Sequence, residues 1–276
     1  MFKALKAKEK ERSIGNFCQS NLMMKPVVVR GLEIGTGQPK IIVPIVAVTK
    51  DEILAEAATF NELPVDVVEW RVDWFEGVED FNQVKDVLAS LREVLGNTPI
   101  LMTFRTSKEG GERSIEDEAY ANLNIDAANT GYVDFIDVEI FSGDALVTQI
   151  IEAAHGANVK VIASNHDFQK TPDQADIVSR LRKMQDMGAD IPKIAVMPQS
   201  EADVITLLAA TEEMASKYAD RPIITMSMGG MGVISRVSGE AFGSAMTFGA
   251  AKKASAPGQM GVHDLEKVLS AIHKAS

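Results

Sequence analysis

Of the 276 residues, 46% are hydrophobic and 24% charged, and a mean hydropathy of 0.00 describes an ordinary globular chain able to bury a core, which excludes a wholly disordered or collagen-like one. The formal net charge of −11 and pI near 4.9 would repel a phosphate backbone, and no basic patch lies beyond the first dozen residues, so no nucleic-acid partner is expected. Cys18 is the only cysteine, which excludes an intramolecular disulfide or a multi-cysteine metal site and suits a reducing, cytoplasmic setting.

Residues 1–25 are polar and lysine-rich and lack the continuous apolar core of a secretory signal. Glu9 and Glu11 are wrong for an organelle transit peptide, and Met23 and Met24 offer alternative starts, so this stretch is expected to be a loose, dispensable extension. Residues 26–276 then form one catalytic domain. No apolar run reaches the roughly 18 residues needed to span a bilayer, and the longest strand-like stretch, Ile41 to Val48, contains Pro44; no membrane partner is expected.

A short hairpin-like β segment, Val27 to Gly35, comes first. Apolar, β-branched runs then begin near Ile41, Val67, Ile100, Phe135, Lys160, Lys193, Ile223 and Ala245. Between them lie helical patterns, such as Ile177, Leu181, Met184 and Val204, Leu207, Leu208, Thr211. Successive starts are 22 to 35 residues apart, about one strand-plus-helix unit. Eight such units in a chain of this size predict a (β/α)₈ barrel of the TIM type. An open doubly wound sheet would want a Gly-rich turn after its first strand, where this chain has Val48-Thr49-Lys50-Asp51.

In such a barrel the reactive groups gather at the C-terminal ends of the strands. The second strand carries Glu69 and Arg71, the third leads into Arg105 and Glu109, the fifth into Asn165 and His166, and the sixth carries Lys193. After the seventh come Ser227, Gly229, Gly230, Gly232 and Arg236, and after the eighth Ser255 and Gln259. Lys193 is flanked by Pro192, Ile194, Ala195 and Val196; burial beside arginines would lower its pKa and free the amine to attack a carbonyl. A strand lysine by itself is more often a snorkelling surface residue. His166 can move a proton near neutrality, with Glu109 as a candidate to orient its ring, although a lone histidine after a strand is more often structural. Arg71, Arg105 and Arg236 could grip a carboxylate in bidentate fashion or form structural ion pairs.

The other histidines, His155, His263 and His273, read as solvated. No HExxH, EF-hand loop or CxxC is present, so no metal is expected. The segment MSMGGMG, Met226 to Gly232, could cradle a phosphate but reads more simply as a tight turn.

Six segments in order, EWRVD (Glu69 to Asp73), TFRTSKEGGE (Thr103 to Glu112), SNHDFQKTP (Ser164 to Pro172), ADIPKIAVMPQS (Ala189 to Ser200), MSMGGMGVISR (Met226 to Arg236) and FGSAMTFGAAKKASAPGQ (Phe242 to Gln259), resemble the motif series of the type I 3-dehydroquinate dehydratases from about residue 27 onward. The resemblance implies a cofactor-free hydro-lyase of the shikimate pathway, a homodimer, acting on the small molecule 3-dehydroquinate. It implies that Lys193 forms a Schiff base, that His166 is the general acid and base, and that Glu109 tunes it. Arg236 would pair with the substrate carboxylate, while Glu69, Arg71, Arg105, Ser255 and Gln259 would hold the ring hydroxyls and the carboxylate. A loop around Gly229 to Ser235 would close over the substrate. Two departures stand out: Pro44 replaces a serine of some relatives, and Gly230-Met231 replaces a Lys-Thr pair. The competing readings are a class I Schiff-base aldolase, whose substrates are often phosphorylated, and a silent barrel kept as a binding protein.

Overall fold

The structure, a computed structural model, describes residues 23–252 and 254–276. The expected extension up to residue 22, with Cys18, lies outside the described residues.

Eight parallel strands form the expected barrel: β3 (Lys40–Ile45), β4 (Val67–Arg71), β5 (Ile100–Thr103), β6 (Phe135–Glu139), β7 (Lys160–Asp167), β8 (Ile191–Val196), β9 (Ile224–Ser227) and β10 (Met246–Ala250). Neighbours pair in chain order, and β10 returns to β3 with Met246 opposite Lys40. The gap between β9 and β10 is closed by the Ile223–Ser244 bridge and the 2.8 Å bond from Ala245 N to Ile223 O. Ahead of the barrel, β1 (Val27–Val29) and β2 (Leu32–Ile34) make the predicted hairpin, turning at Arg30 and Gly31, both with positive φ.

Successive side chains of a strand point to opposite faces, and this alternation sorts the core into two compartments. Ile41, Val43 and Ile45 of β3 join the outer cluster under the helices, whereas Ile42 joins an inner one with Val67, Leu101, Phe135, Ile162, Ile191, Ile224 and Met246. Val27 and Ile34 of the hairpin belong to that inner cluster, so the hairpin plugs the N-terminal end of the barrel. Arg30 ties it there through a 2.7 Å bond to Asp134, which precedes β6. One step along each strand, at the next inward position, the apolar layer gives way to Glu69, Thr103, Asp137, Ser164 and Lys193, all buried.

The helices follow their amphipathic patterns. Thr49 and Glu52, in the turn that lacks the glycines of an open sheet, form a capping box that starts α1 (Lys50–Thr59). In α2 (Phe81–Leu95) Asp80 caps the start, and Val84, Val87, Leu88, Leu91 and Leu95 are buried on one face. Each such aliphatic side chain contributes about 1.5–3 kcal/mol on full burial. α3 (Asp117–Ala128), α4 (Asp144–Gly156), α5 (Gln174–Asp186) and α6 (Glu201–Lys217) follow β5 to β8 in turn. Two short helices, α7 (Val233–Val237) and α8 (Gly239–Phe242), follow β9; a short strand β11 (Met260–Gly261) and α9 (Val262–Ala275) follow β10. No described helix is long and apolar enough to cross a membrane.

Candidate active site

Lys193 is the third residue of β8, which begins at Ile191, two residues before the start read from sequence. Its position on the inner face buries it to 3% exposure, with Nζ 3.4 Å from Asp137 Oδ2 and 4.8 Å from the Phe248 ring centre. Burial pushes the lysine pKa down and the Arg105 charge adds to that, while Asp137 and Glu69 pull against it. The net direction is down, toward a free amine.

Asp137 is the hub of this layer. Arg105, entering from the loop after β5, grips both its oxygens at 3.0 and 2.9 Å and donates to Glu139 at 2.9 Å and to the Ser164 hydroxyl at 3.1 Å. Burial works against the Arg105 charge, yet Asp137 and Glu139 outweigh it and push that pKa up. Burial likewise opposes ionisation of Asp137, but Arg105 and Lys193 hold its carboxyl at about 2. A buried cation and a buried anion keep each other ionised here because their attraction at hydrogen-bond distance outweighs the loss of hydration.

His166, two residues beyond Ser164 on the same inward face, stands beside Glu109. Glu109 ends a 3₁₀ turn, Ser107–Glu109, closed by Gly110 in the left-handed region and then by Gly111, where a Cβ would overlap the Arg105 carbonyl. This tight turn folds the carboxylate back over the end of β7. Its Oε1 accepts from Asn165 Nδ2 at 2.8 Å and from the His166 backbone N–H at 3.2 Å. Its Oε2 lies 3.5 Å from His166 Nδ1, and neither of these two buried atoms has a hydrogen bond. Burial, helped by Glu139, raises the Glu109 pKa to about 7 against the pull of Arg105. Burial and the charges of Arg105, Lys193 and Arg71 drive the His166 pKa well down, so its imidazole is neutral at physiological pH.

The three arginines differ. Arg71 is clamped by Asp73 through two 2.8 Å bonds and Arg105 by Asp137 and Glu139, so both are spent on protein carboxylates. Arg236, 2% exposed in α7, donates among the described residues only to the Pro257 carbonyl at 2.7 Å and to the Met226 sulfur at 3.6 Å, and its Nε has no partner among them. Uncompensated burial lowers its pKa to about 10. Glu69 accepts from the Thr103 hydroxyl at 2.9 Å; Ser255 and Gln259 bond each other at 3.0 and 2.9 Å. Glu69, Arg71, Arg105, Glu109, His166, Lys193, Ser255 and Gln259 thus line one cleft of about 40 Å³, with Arg236 behind Met226 at its edge.

The carboxylates Asp73, Asp137 and Glu139 are missing from the candidates read from sequence. The signal was present in Phe135-Ile136-Asp137-Val138-Glu139: acids at alternate positions of an otherwise apolar strand must share its inner face. Pro44, buried opposite Glu69, alternates with Ile41, Val43 and Ile45 and offers no donor. In the glycine turn the N–H groups of Met228, Gly229, Gly232 and Val233 donate to protein carbonyls, as a tight turn requires. His155 and His273, exposed as expected, each nonetheless hold a carboxylate, Asp190 and Glu240, at 2.7 Å. Among the described residues no three His, Cys, Asp or Glu side chains group as metal ligands.

A closed eight-stranded barrel that buries a lysine amine among counter-charges, next to a neutral histidine and a carboxyl group near neutrality, defines an enzyme built to attack a carbonyl and then move a proton. Comparison with known proteins makes this specific. The family model for type I 3-dehydroquinase matches residues 41–276. The 3-dehydroquinate dehydratase of Clostridioides difficile is 54% identical over 253 residues, covering 92% of this chain and 99% of that one, and that of Salmonella agona is 55% identical over 252 residues, covering 91% and 100%. A crystal structure of the type I enzyme from Clostridium difficile with covalently modified comenic acid superimposes with a TM-score of 0.90 at 54% identity, covering 92% of this chain and all of the other. The chain belongs to the type I 3-dehydroquinase family, a family of hydro-lyases. The aldolase reading is set aside.

Proposed function

We propose that this chain dehydrates 3-dehydroquinate to 3-dehydroshikimate through an imine on Lys193. The observation that carries the reading is the Lys193 amine, 3% exposed, 3.4 Å from Asp137 and inside the same cleft as His166 and Glu109. The free amine adds to the C3 carbonyl of the substrate and water leaves, giving an iminium cation whose charge Asp137 balances in place of the ammonium. The iminium draws electrons from the adjacent C2–H bond. Neutral His166 takes that proton, and the Glu109 carboxylate stabilises the imidazolium formed. The enamine then expels the C1 hydroxyl, which takes the proton back from His166 and departs as a second water. One water returns to hydrolyse the iminium, freeing product and amine. Arg236, the buried cation without a protein carboxylate, pairs with the carboxylate of the substrate; Glu69, Arg71, Arg105, Ser255 and Gln259 present polar groups to its ring. The same reading makes the protein a cytoplasmic, cofactor-free homodimer, which light scattering on purified protein tests for oligomeric state.

The test is intact-mass measurement after incubation with 3-dehydroquinate and borohydride, followed by peptide mapping. A reduced adduct on Lys193 is expected, with Lys193→Ala folded but inactive and unlabelled. Turnover by Lys193→Ala would overturn the mechanism, and substrate bound but unchanged by the native chain would return a silent barrel.

A further inference from the structure

Next to the base, Asn165 bridges Glu109 and the solvent-side helix α5. Lying between the inward-facing Ser164 and His166, it points out of the barrel, where Arg180 Nη1 donates to its Oδ1 at 3.0 Å. Its other end donates from Nδ2 to Glu109 Oε1 at 2.8 Å. A guanidinium carries only donors, so it dictates which end of the amide is oxygen, and the NH₂ end must face Glu109. Arg180 is itself fixed by two bonds to Asp176, one helical turn earlier, at 3.0 and 2.7 Å.

We propose that Arg180 and Asn165 are positioning residues for the base: Arg180 locks the Asn165 amide, Asn165 holds Oε1 of Glu109, and Oε2 is thereby left facing Nδ1 of His166. This rests on the roles given above to Glu109 and His166. Without Arg180 the amide is oriented by Glu109 alone, and the flipped Asn165, with its oxygen against Oε1 at the same 2.8 Å, becomes open to it whenever that carboxyl is protonated. Two acceptors cannot share that distance, so the carboxylate must turn away or take a proton. The charges facing Glu109 are Arg105 from its own loop, Glu139 from β6 and His166 from β7, while Arg71 and Lys193 act on His166 from β4 and β8. None of these touches Arg180, so a change on replacing it reports the amide.

Donation from Asn165 lowers the Glu109 pKa, and its loss moves the limb of the activity profile that needs ionised Glu109 to higher pH. The experiment is the pH dependence of kcat and KM for Arg180→Met, Arg180→Lys, Asn165→Ala and the Arg180→Met/Asn165→Ala double variant. Arg180→Met should shift the acidic limb upward by about half a pH unit or more and lower kcat at neutral pH about twofold or more with KM within about twofold. Arg180→Lys, still donor-only, should restore most of the profile; the double variant should add nothing to Asn165→Ala. A profile for Arg180→Met that superimposes on the native one, an equal loss at every pH, or additive effects in the double variant would overturn the proposal. Borohydride trapping in the same samples separates the two levels: an adduct on Lys193 with no pH shift defeats only the positioning role, whereas no adduct even in the native chain defeats the mechanism beneath it.

Discussion

Arg236 is a buried cation with no carboxylate partner among the described residues, so its replacement by methionine should act in opposite directions on folding and on binding. Burial lowers its pKa from 12.5 to about 10, which at about 1.36 kcal/mol per pH unit is a cost of roughly 3 kcal/mol to the folded state. For a cation with a depressed folded pKa, that cost is fully present below about pH 10 and disappears only above the unfolded value, so it applies in full at pH 7 to 8. Methionine removes it but takes from the Pro257 carbonyl its charge-assisted donor, leaving it the longer bond from Gly229 N, which costs about 1–2 kcal/mol. The net gain is about 1–2 kcal/mol, at about 2–4 °C in Tm for each kcal/mol. Binding moves the other way, because losing the charge-assisted partner of a buried carboxylate costs about 2–5 kcal/mol, roughly 30-fold or more in KM. Thermal denaturation with and without saturating product, beside steady-state kinetics, reads both quantities. A variant that melts below the native protein, or keeps its KM, would refute the argument that this guanidinium is held uncompensated for the substrate.

The raised pKa of Glu109, about 7, means that the folded state binds a proton between about pH 4.5 and 7 that the unfolded state has released, so this group's contribution to stability declines as pH rises through that window. Glu109→Gln should remove the decline, and urea midpoints of variant and native protein that run parallel from pH 5 to 8 would contradict it. Asp137→Asn should destabilise the fold by about 3–5 kcal/mol by breaking the buried pair with Arg105, measured by urea denaturation at pH 7. In the native protein the depressed Asp137 pKa supplies stability above about pH 3.8 that is lost as pH falls toward 2, a loss the variant should not show. Gly258→Ala should raise KM several-fold and lower Tm by a few degrees: Gly258 has a φ of +79° and its Cβ would meet the Gly229 carbonyl at 2.4 Å, forcing apart the loops that meet where Pro257 receives Gly229 and Arg236. An unchanged KM would show that this contact does not shape the cleft.

The eight-unit period and the alternation of apolar residues were enough to determine the barrel, because a strand with an apolar face and a helix with an apolar stripe have few ways to bury both. The place of Lys193 within a strand, of His166 near a strand end and of Glu109 in the loop beyond one followed from the same pattern, and the Thr-x-x-Glu spacing of the capping box at Thr49 and Glu52 is present in the sequence. What spacing could not tell was who neutralises whom. Arg105 and Asp137 are 32 residues apart, and Lys193 and Asp137 are 56 apart. They meet only because the register sets Asp137 opposite Ile162 and Ser164 opposite Lys193, folding three strands around one buried layer. The sequence therefore determined which charges enter the barrel; the tertiary register alone decided that Arg71 and Arg105 would be spent on the protein's own acids and Arg236 left open, since in a desolvated interior a charge is governed by the few groups within reach rather than by its place in the chain.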